Sequence, residues 1–263
     1  MEEETLERQE ELLKRYTESR GFPPTERLQK FAELDPDFFE KYLSFTDYPR
    51  KARVLSPKMI KLIAIAINSS VTLLYEPGLR AYIRHALNEG VTKEEILAVF
   101  QLVTLVGTHT CTTGMSILAE EYGKQLAKET KQGAASSSSK EVSERQAELL
   151  RKYSEKRAGM PPGERMQKFA ELDPDFFEEY LNLSDLPIKP DILSDKEREL
   201  IWIAMDSSAT HLFEPGMRAH IRYALELGVS KEEILAVFQL VSFIGFHSCT
   251  VGIPILAEEY GGS

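Results

Sequence analysis

All five histidines of this 263-residue chain fall in two kinds of place. His85, His211 and His220 lie in or beside two segments that begin with Glu-Pro-Gly, "YEPGLRAYIRHAL" (75–87) and "FEPGMRAHIRYAL" (213–225). His109 and His247 hold matching positions in "GTHTC" and "GFHSC". Imidazole titrates near neutrality and also ligates metals, so this clustering is what acid–base or metal chemistry uses. Each Glu-Pro-Gly segment carries one His and one Tyr three residues apart, Tyr82 with His85 and His220 with Tyr223. On a helix that spacing sets both side chains on one face, at the edge of the apolar stripe. Such a pair can shuttle a proton or orient an enolate oxygen; the plainer alternative is a hydrogen-bonded pair at the rim of a core.

Glu76 and Glu214 precede a proline suited to the first helical position, which predicts a glutamate at the N-cap, where Ser, Thr, Asp or Asn is usual. The dipole field there keeps a carboxylate ionised. We expect it to serve as a base or ligand in a cavity shared with the histidine helix and the Gly-x-His-x-Cys segment, against a solvated glutamate that merely complements the dipole. His109 and His247 follow the apolar runs "ILAVFQLVTLVG" and "ILAVFQLVSFIG". A histidine at the end of a buried element must find a partner or stay neutral, which points to a pocket. Cys111 and Cys249 follow two residues later as candidate substrate contacts, although a free cysteine more often fills a core. Arg218 and Arg222, like Arg80 and Arg84, are spaced i, i+4 opposite the apolar stripe; they suit a substrate carboxylate or neighbouring glutamates such as Glu226.

The elements that must position these groups are written twice. "ERLQKFAELDPDFFEKYL" (26–43) returns as "ERMQKFAELDPDFFEEYL" (164–181), and "KEEILAVFQLV" occurs unchanged at 93–103 and 231–241. From Gly21 onward the copies are offset by a constant 138 residues; earlier the offset is 137, Ala158 being an extra residue. Such a period means duplication rather than a short-repeat solenoid. The copies, 1–130 and 142–263, are joined by "KQGAASSSSKE" (131–141), a flexible-linker composition. Within each copy the apolar period is helical: a helix over about 4–19 stopped by prolines, a second after Thr25, a third after Ser56, a fourth from Glu-Pro-Gly to Gly90, a fifth with Thr92 and Glu95 spaced as a capping box, and a sixth to the end. The fold class is all-α, with about six helices per copy.

A net charge of −10 with no basic run argues against a nucleic-acid partner. The N-terminus has no signal-peptide pattern, no stretch approaches the ~20 apolar residues of a membrane span, and two cysteines fit a reducing compartment. A cytoplasmic protein that binds no membrane is expected.

At "LSDKERELIWIAMDSS", "MRAHIRYALELGVSKEEILAVFQLVSFIG" and "PILAEEY" the chain resembles the carboxymuconolactone decarboxylase family, whose superfamily includes AhpD-type alkylhydroperoxidases. The resemblance implies compact helical domains that assemble as trimers or hexamers. A fused pair then makes an intramolecular pseudo-dimer, and three such chains a hexamer-like ring. The peroxidase branch carries Cys-x-x-Cys four residues before the family histidine; here Phe213 and Gly216, or Tyr75 and Gly78, stand instead. Thiol peroxidase chemistry is not implied. The family histidine maps to His220 in the second copy and to Tyr82 in the first. The resemblance implies a cofactor-free lyase acting on a small carboxylated or lactone substrate. His220 or His85 and Glu214 or Glu76 would be its acid–base groups, with His247 and His109 stabilising an oxyanion. The alternatives are a divalent metal held by Glu214, His220 and His247, or a non-catalytic oligomeric scaffold.

Overall fold

The computed structural model describes residues 2–130, 140–157 and 161–261, and among them every regular element is helical. In chain order these are α1 (Glu2–Arg20), α2 (Glu26–Leu34), α3 (Pro36–Lys51), α4 (Pro57–Ser69), α5 (Glu76–Asn88), α6 (Lys93–Thr104) and α7 (His109–Thr130). The second copy gives α8 (Lys140–Glu155), α9 (Glu164–Leu172), α10 (Pro174–Ser184), α11 (Asp195–Ser207), α12 (Glu214–Glu226), α13 (Lys231–Val241) and α14 (His247–Gly261). Short 3₁₀ turns at Leu105–Thr108 and Ser242–Phe246 lead into α7 and α14.

The copies thus have one helix more than the six expected. The segment after Thr25 breaks at Asp35-Pro36, because a residue before proline is driven out of the helical region. Asp35 then caps the next helix by accepting from the Phe38 backbone N–H at 2.9 Å, and Asp173 does the same for Phe176. Ser56 accepts from Met59 N–H, while Thr92 with Glu95, Ser194 with Glu197 and Ser230 with Glu233 close reciprocal capping boxes. Each such cap contributes about 1 kcal/mol. The expected linker 131–141 falls, except for its last two residues, outside the described residues.

Two compact units cut across the two sequence copies. One comprises residues 1–103 with 190–263, the other residues 104–189. In the first unit α4 and α11 form the centre, with Leu62, Ile63, Ile65, Ile201, Ile203 and Met205 all fully buried. Side chains at one repeat position meet there, Thr72 Oγ1 lying 2.9 Å from Thr210 Oγ1. A residue touching its own counterpart marks a local two-fold arrangement of the copies within this unit. Lys58 ties them further, 2.8 Å from Glu95 and 2.7 Å from Glu197. Leu12, Tyr16, Phe31, Phe39 and Leu43 of α1–α3 make a second cluster, completed by Cys249 and Ile253 of α14.

In the other unit, α8–α10 contribute Leu149, Tyr153, Phe169, Phe177 and Leu181, and the completing residues Cys111 and Met115 come from α7. The last helix of each copy therefore packs on the first three helices of the other. Both cysteines sit in these exchanged contacts. The helical runs Lys93–Gln125 and Lys231–Tyr260 are, against expectation, long and apolar enough by length and composition to cross a membrane. The second sinks Ile234, Val237, Leu240 and Val241 into the core of its unit.

Without α14, the Phe31–Phe39–Leu43 cluster of a fragment 1–130 lacks its cover. The fragment is expected to self-associate through its own α7 when measured by light scattering, whereas a monomer melting like the full chain would contradict the exchange.

Candidate functional site

Helix α11 carries polar residues on an otherwise buried element. Glu199 and Asp206 lie seven residues apart, two helical turns on one face, with Trp202 between them. From α12, His220 places Nδ1 2.7 Å from Glu199 Oε2, and its ring stacks on Trp202 at 5.2 Å and 7°. Glu199 is only 8% exposed, so its negative charge falls on the imidazole and little on water. An ionised carboxylate can only accept, so Nδ1–H is the donor when Glu199 is charged. Asp206, fully buried, has its pKa raised to about 7 by burial, with Glu199 adding to the rise and His220 opposing it. His211 Nε2 lies 3.9 Å from Asp206 Oδ1, and burial holds this imidazole below its usual range.

The turn before α12 sets this register. Phe213 N–H donates to Asp206 O at 2.9 Å, and Tyr75 N–H to Asn68 O at 3.0 Å in the other copy. Leu74 and Leu212 hold left-handed backbone at φ +46°, a strained conformation for leucine, to make these turns. A Cβ on Gly216 would lie 2.2 Å from Asp206 Oδ2, and one on Gly78 2.4 Å from Asn68 Oδ1. Glycine in Glu-Pro-Gly is thus a requirement of close approach.

A cavity of about 100 Å³ opens in the same unit between α1, α3, α4 and α5 of the first copy and α13, the 3₁₀ turn and α14 of the second. It exceeds several-fold the roughly 10–15 Å³ that one water needs. His247 tilts over Tyr75 with ring centroids 4.1 Å apart, and Tyr75 Oη donates to Thr250 Oγ1 at 3.2 Å. Burial lowers the His247 pKa to about 4, and its buried Nδ1 has no hydrogen-bond partner. Arg50 Nη2 donates to Tyr82 Oη at 3.4 Å while its Nε is unpartnered. Asn68 Nδ2 donates to Ala64 O at 2.7 Å, leaving Oδ1 unpartnered. Arg20 is held by Asp47 and Thr46; both Arg20 and Asp47 side chains are 2% exposed. Burial opposes ionisation of Asp47, but Arg20 overcomes it and lowers the carboxyl's pKa. Burial also raises the Tyr42 phenol to about 12.

A pocket therefore does lie beside His247, joining it to Tyr82 of the other copy, but His85, His109 and His220 do not line it. Nor do the expected carboxylates. Glu76 and Glu214 stand at the first helical position, behind Tyr75 and Phe213 as N-caps, and point outward with 67% exposed side chains gripped by Arg80 and Arg218. The i, i+4 pairing and the dipole account for both glutamates. Arg218 is engaged in that pair, and Arg222 is exposed. His85 lies 2.8 Å from Glu89 Oε1 and packs on Phe22, bracing the end of α1 outside the cavity wall. Tyr223 is half-buried on α12, its phenol raised by burial, and it too lies off the wall. His109 begins α7 in the other unit. Cys111 and Cys249 fill the exchanged apolar contacts rather than the cavity. Glu214, His220 and His247 do not bring three ligand atoms within 4.8 Å of one another, so that set does not form a metal site.

Glu199, Trp202 and Asp206 were missed, as were Arg50, Asn68 and Tyr75. The signal for the first group was present: two acids interrupting the apolar run "ERELIWIAMDSS" at i, i+7.

A carboxymuconolactone decarboxylase family profile matches residues 36–120 and 174–251, which contain both polar helix pairs. The chain belongs to the carboxymuconolactone decarboxylase family. A crystal structure from Burkholderia xenovorans LB400, provisionally designated a gamma-carboxymuconolactone decarboxylase subunit, is 31% identical with a TM-score of 0.85. The match covers 96% of this chain and 97% of that one, so the likeness extends through both copies. No curated protein matches. Membership of the carboxymuconolactone decarboxylase family supports a decarboxylase-like function at family level.

Gly216→Ala is expected to cost about 1–3 kcal/mol by forcing α12 off α11, read as a lowered midpoint in denaturant. As pH falls from about 6.5 to 4, the unfolded chain protonates His247 and the folded chain does not, so stability drops across that window and levels off below it. In His247→Asn that part of the drop should vanish from pH-dependent unfolding curves.

Proposed function

We propose that the chain is a lyase that needs no cofactor, acting by proton transfer on a small carboxylated or lactone substrate. The carrying observation is the 2.7 Å contact between His220 Nδ1 and buried Glu199. His220 Nε2 takes the proton of the substrate's carboxyl group, leaving the carboxylate, and Glu199 stabilises the imidazolium that forms. When the carbon–carbon bond to the carboxylate breaks, CO₂ leaves and its electron pair passes to an adjacent carbonyl or lactone as an enolate. The imidazolium gives this proton to the carbon that carried the carboxyl group, so a C–H bond replaces the broken carbon–carbon bond. Asp206, poised near neutrality by burial, is suited to donate a hydrogen bond to the enolate oxygen. Trp202, stacked on the imidazole, holds its ring plane.

Homo-oligomerisation belongs to the same reading, supported by Ile255, Leu256 and Tyr260, which lie 50–83% exposed on α14. Family membership supports lyase chemistry; the buried acid–imidazole pair supports this placement of it.

The test is CO₂ release from a panel of β-keto carboxylates and carboxylated lactones. Glu199→Gln and His220→Asn should each lower turnover by about 10²–10⁴-fold with the helical circular dichroism unchanged, and wild-type turnover in either variant would refute the assignment.

A further inference from the structure

The two polar helix pairs occupy matching repeat positions but no longer carry the same groups. At the constant offset, His220 corresponds to Tyr82, Glu199 to Lys61, Asp206 to Asn68, Phe213 to Tyr75 and Ile188 to Arg50. The first copy therefore lacks the acid–imidazole pair. Its Lys61 is bound instead to Glu89, which also holds His85. Of these repeat positions, the cavity receives the Arg50 guanidinium and the phenols of Tyr75 and Tyr82. We propose that the cavity bounded by Arg50, Asn68, Tyr82 and His247 is a second, non-equivalent site that binds a small hydroxycarboxylate without processing it.

Three unpartnered polar atoms on one cavity wall specify that ligand. Leaving a buried polar group unsatisfied costs about 1–3 kcal/mol, and here Arg50 Nε, Asn68 Oδ1 and His247 Nδ1 are all left so. Arg50 Nε–H requires an acceptor. Its charge, unlike that of Arg20, is matched by no carboxylate within ion-pair distance among the described residues, so the acceptor is an anion. A carboxylate can take Nε–H and a phenol hydrogen bond together. Asn68 Oδ1 requires a donor, because the 2.7 Å bond from Nδ2 to Ala64 O fixes which way the amide faces. A ligand hydroxyl supplies it. His247 Nδ1 serves as acceptor or donor according to tautomer, and burial keeps the ring uncharged at neutral pH, so the cavity holds one net positive charge for a monoanion. Phe22, Tyr75 and Tyr82 line it with ring faces and edges, and its volume of about 100 Å³ limits the ligand to a compact, largely planar molecule.

The inference does not depend on catalysis by Glu199 and His220, neither of which lines this cavity. It is tested by calorimetric titration of the full chain with glycolate, lactate and 3-hydroxybenzoate, each beside its uncharged amide. We expect one carboxylate bound per chain, with the amides at least tenfold weaker. Arg50→Ile, which installs the residue of the second copy, should weaken binding at least tenfold, Arg50→Lys less, and Tyr82→Phe several-fold. Glu199→Gln should leave binding unchanged even where it abolishes turnover. Thermal denaturation of each variant confirms that it folds, and the ligand should raise the melting temperature of the wild type but not of Arg50→Ile. Binding lost in Glu199→Gln and kept in Arg50→Ile would move the ligand to the other helix pair and overturn the proposal. So would failure of all three acids to bind the folded wild type.

Discussion

Close approach of a polar helix and a glycine is the constraint on which the sites of this molecule depend. Helix α12 can lie against α11 only because Gly216 has no side chain to meet Asp206, and α5 against α4 only because Gly78 has none to meet Asn68. Since the paired helices run in opposite directions, fixing the register at that point fixes it along the pair. His220, four residues after Gly216, meets Glu199, seven residues before Asp206. The left-handed leucines at 74 and 212 hold the chain in the tight turns that allow this approach.

Duplication lets the same scaffold carry two chemistries. One helix pair keeps an acid and an imidazole, whose mutual attraction is strengthened by burial. The other carries Lys61 and Tyr82 at those positions, with Arg50 near the end of α3 where the second copy has Ile188. The packing centre is shared all the same, because Leu62, Ile63, Ile65 and Ala66 of α4 return as Leu200, Ile201, Ile203 and Ala204 of α11, all buried. Conformation is carried by the shared positions, and chemistry by those that have diverged.

Much of the fold was legible in the sequence, since apolar period, caps and repeat are local signals. The Asp35-Pro36 break was legible too, but its cue was overridden by the apolar period on both sides. The two histidines that matter here, His220 and His247, stand out by their positions in the repeat, and the cavity beside His247 was anticipated. Their partners were not. Glu214 drew attention because proline and glycine mark its place, yet the carboxylate that meets His220 is Glu199, from a different helix. No spacing within one segment encodes such a contact. Arg50 and Tyr75 were hidden for a further reason, that the cavity wall is assembled from both copies.

The exchange of terminal helices also orders the assembly of the chain in time. Residues 104–189 form an uninterrupted unit, able to close as soon as α10 has been made. The other unit is built around α1–α6 but requires α11–α14, so its earliest helices must wait for the latest ones. During synthesis the apolar faces of α1–α3 are left uncovered longest, and the cavity beside His247 cannot exist until the second copy is nearly complete. Ligand binding there is thus a property only of the finished chain, and a translation product stopped after the first copy carries Arg50, Asn68 and Tyr82 without the wall that completes their site.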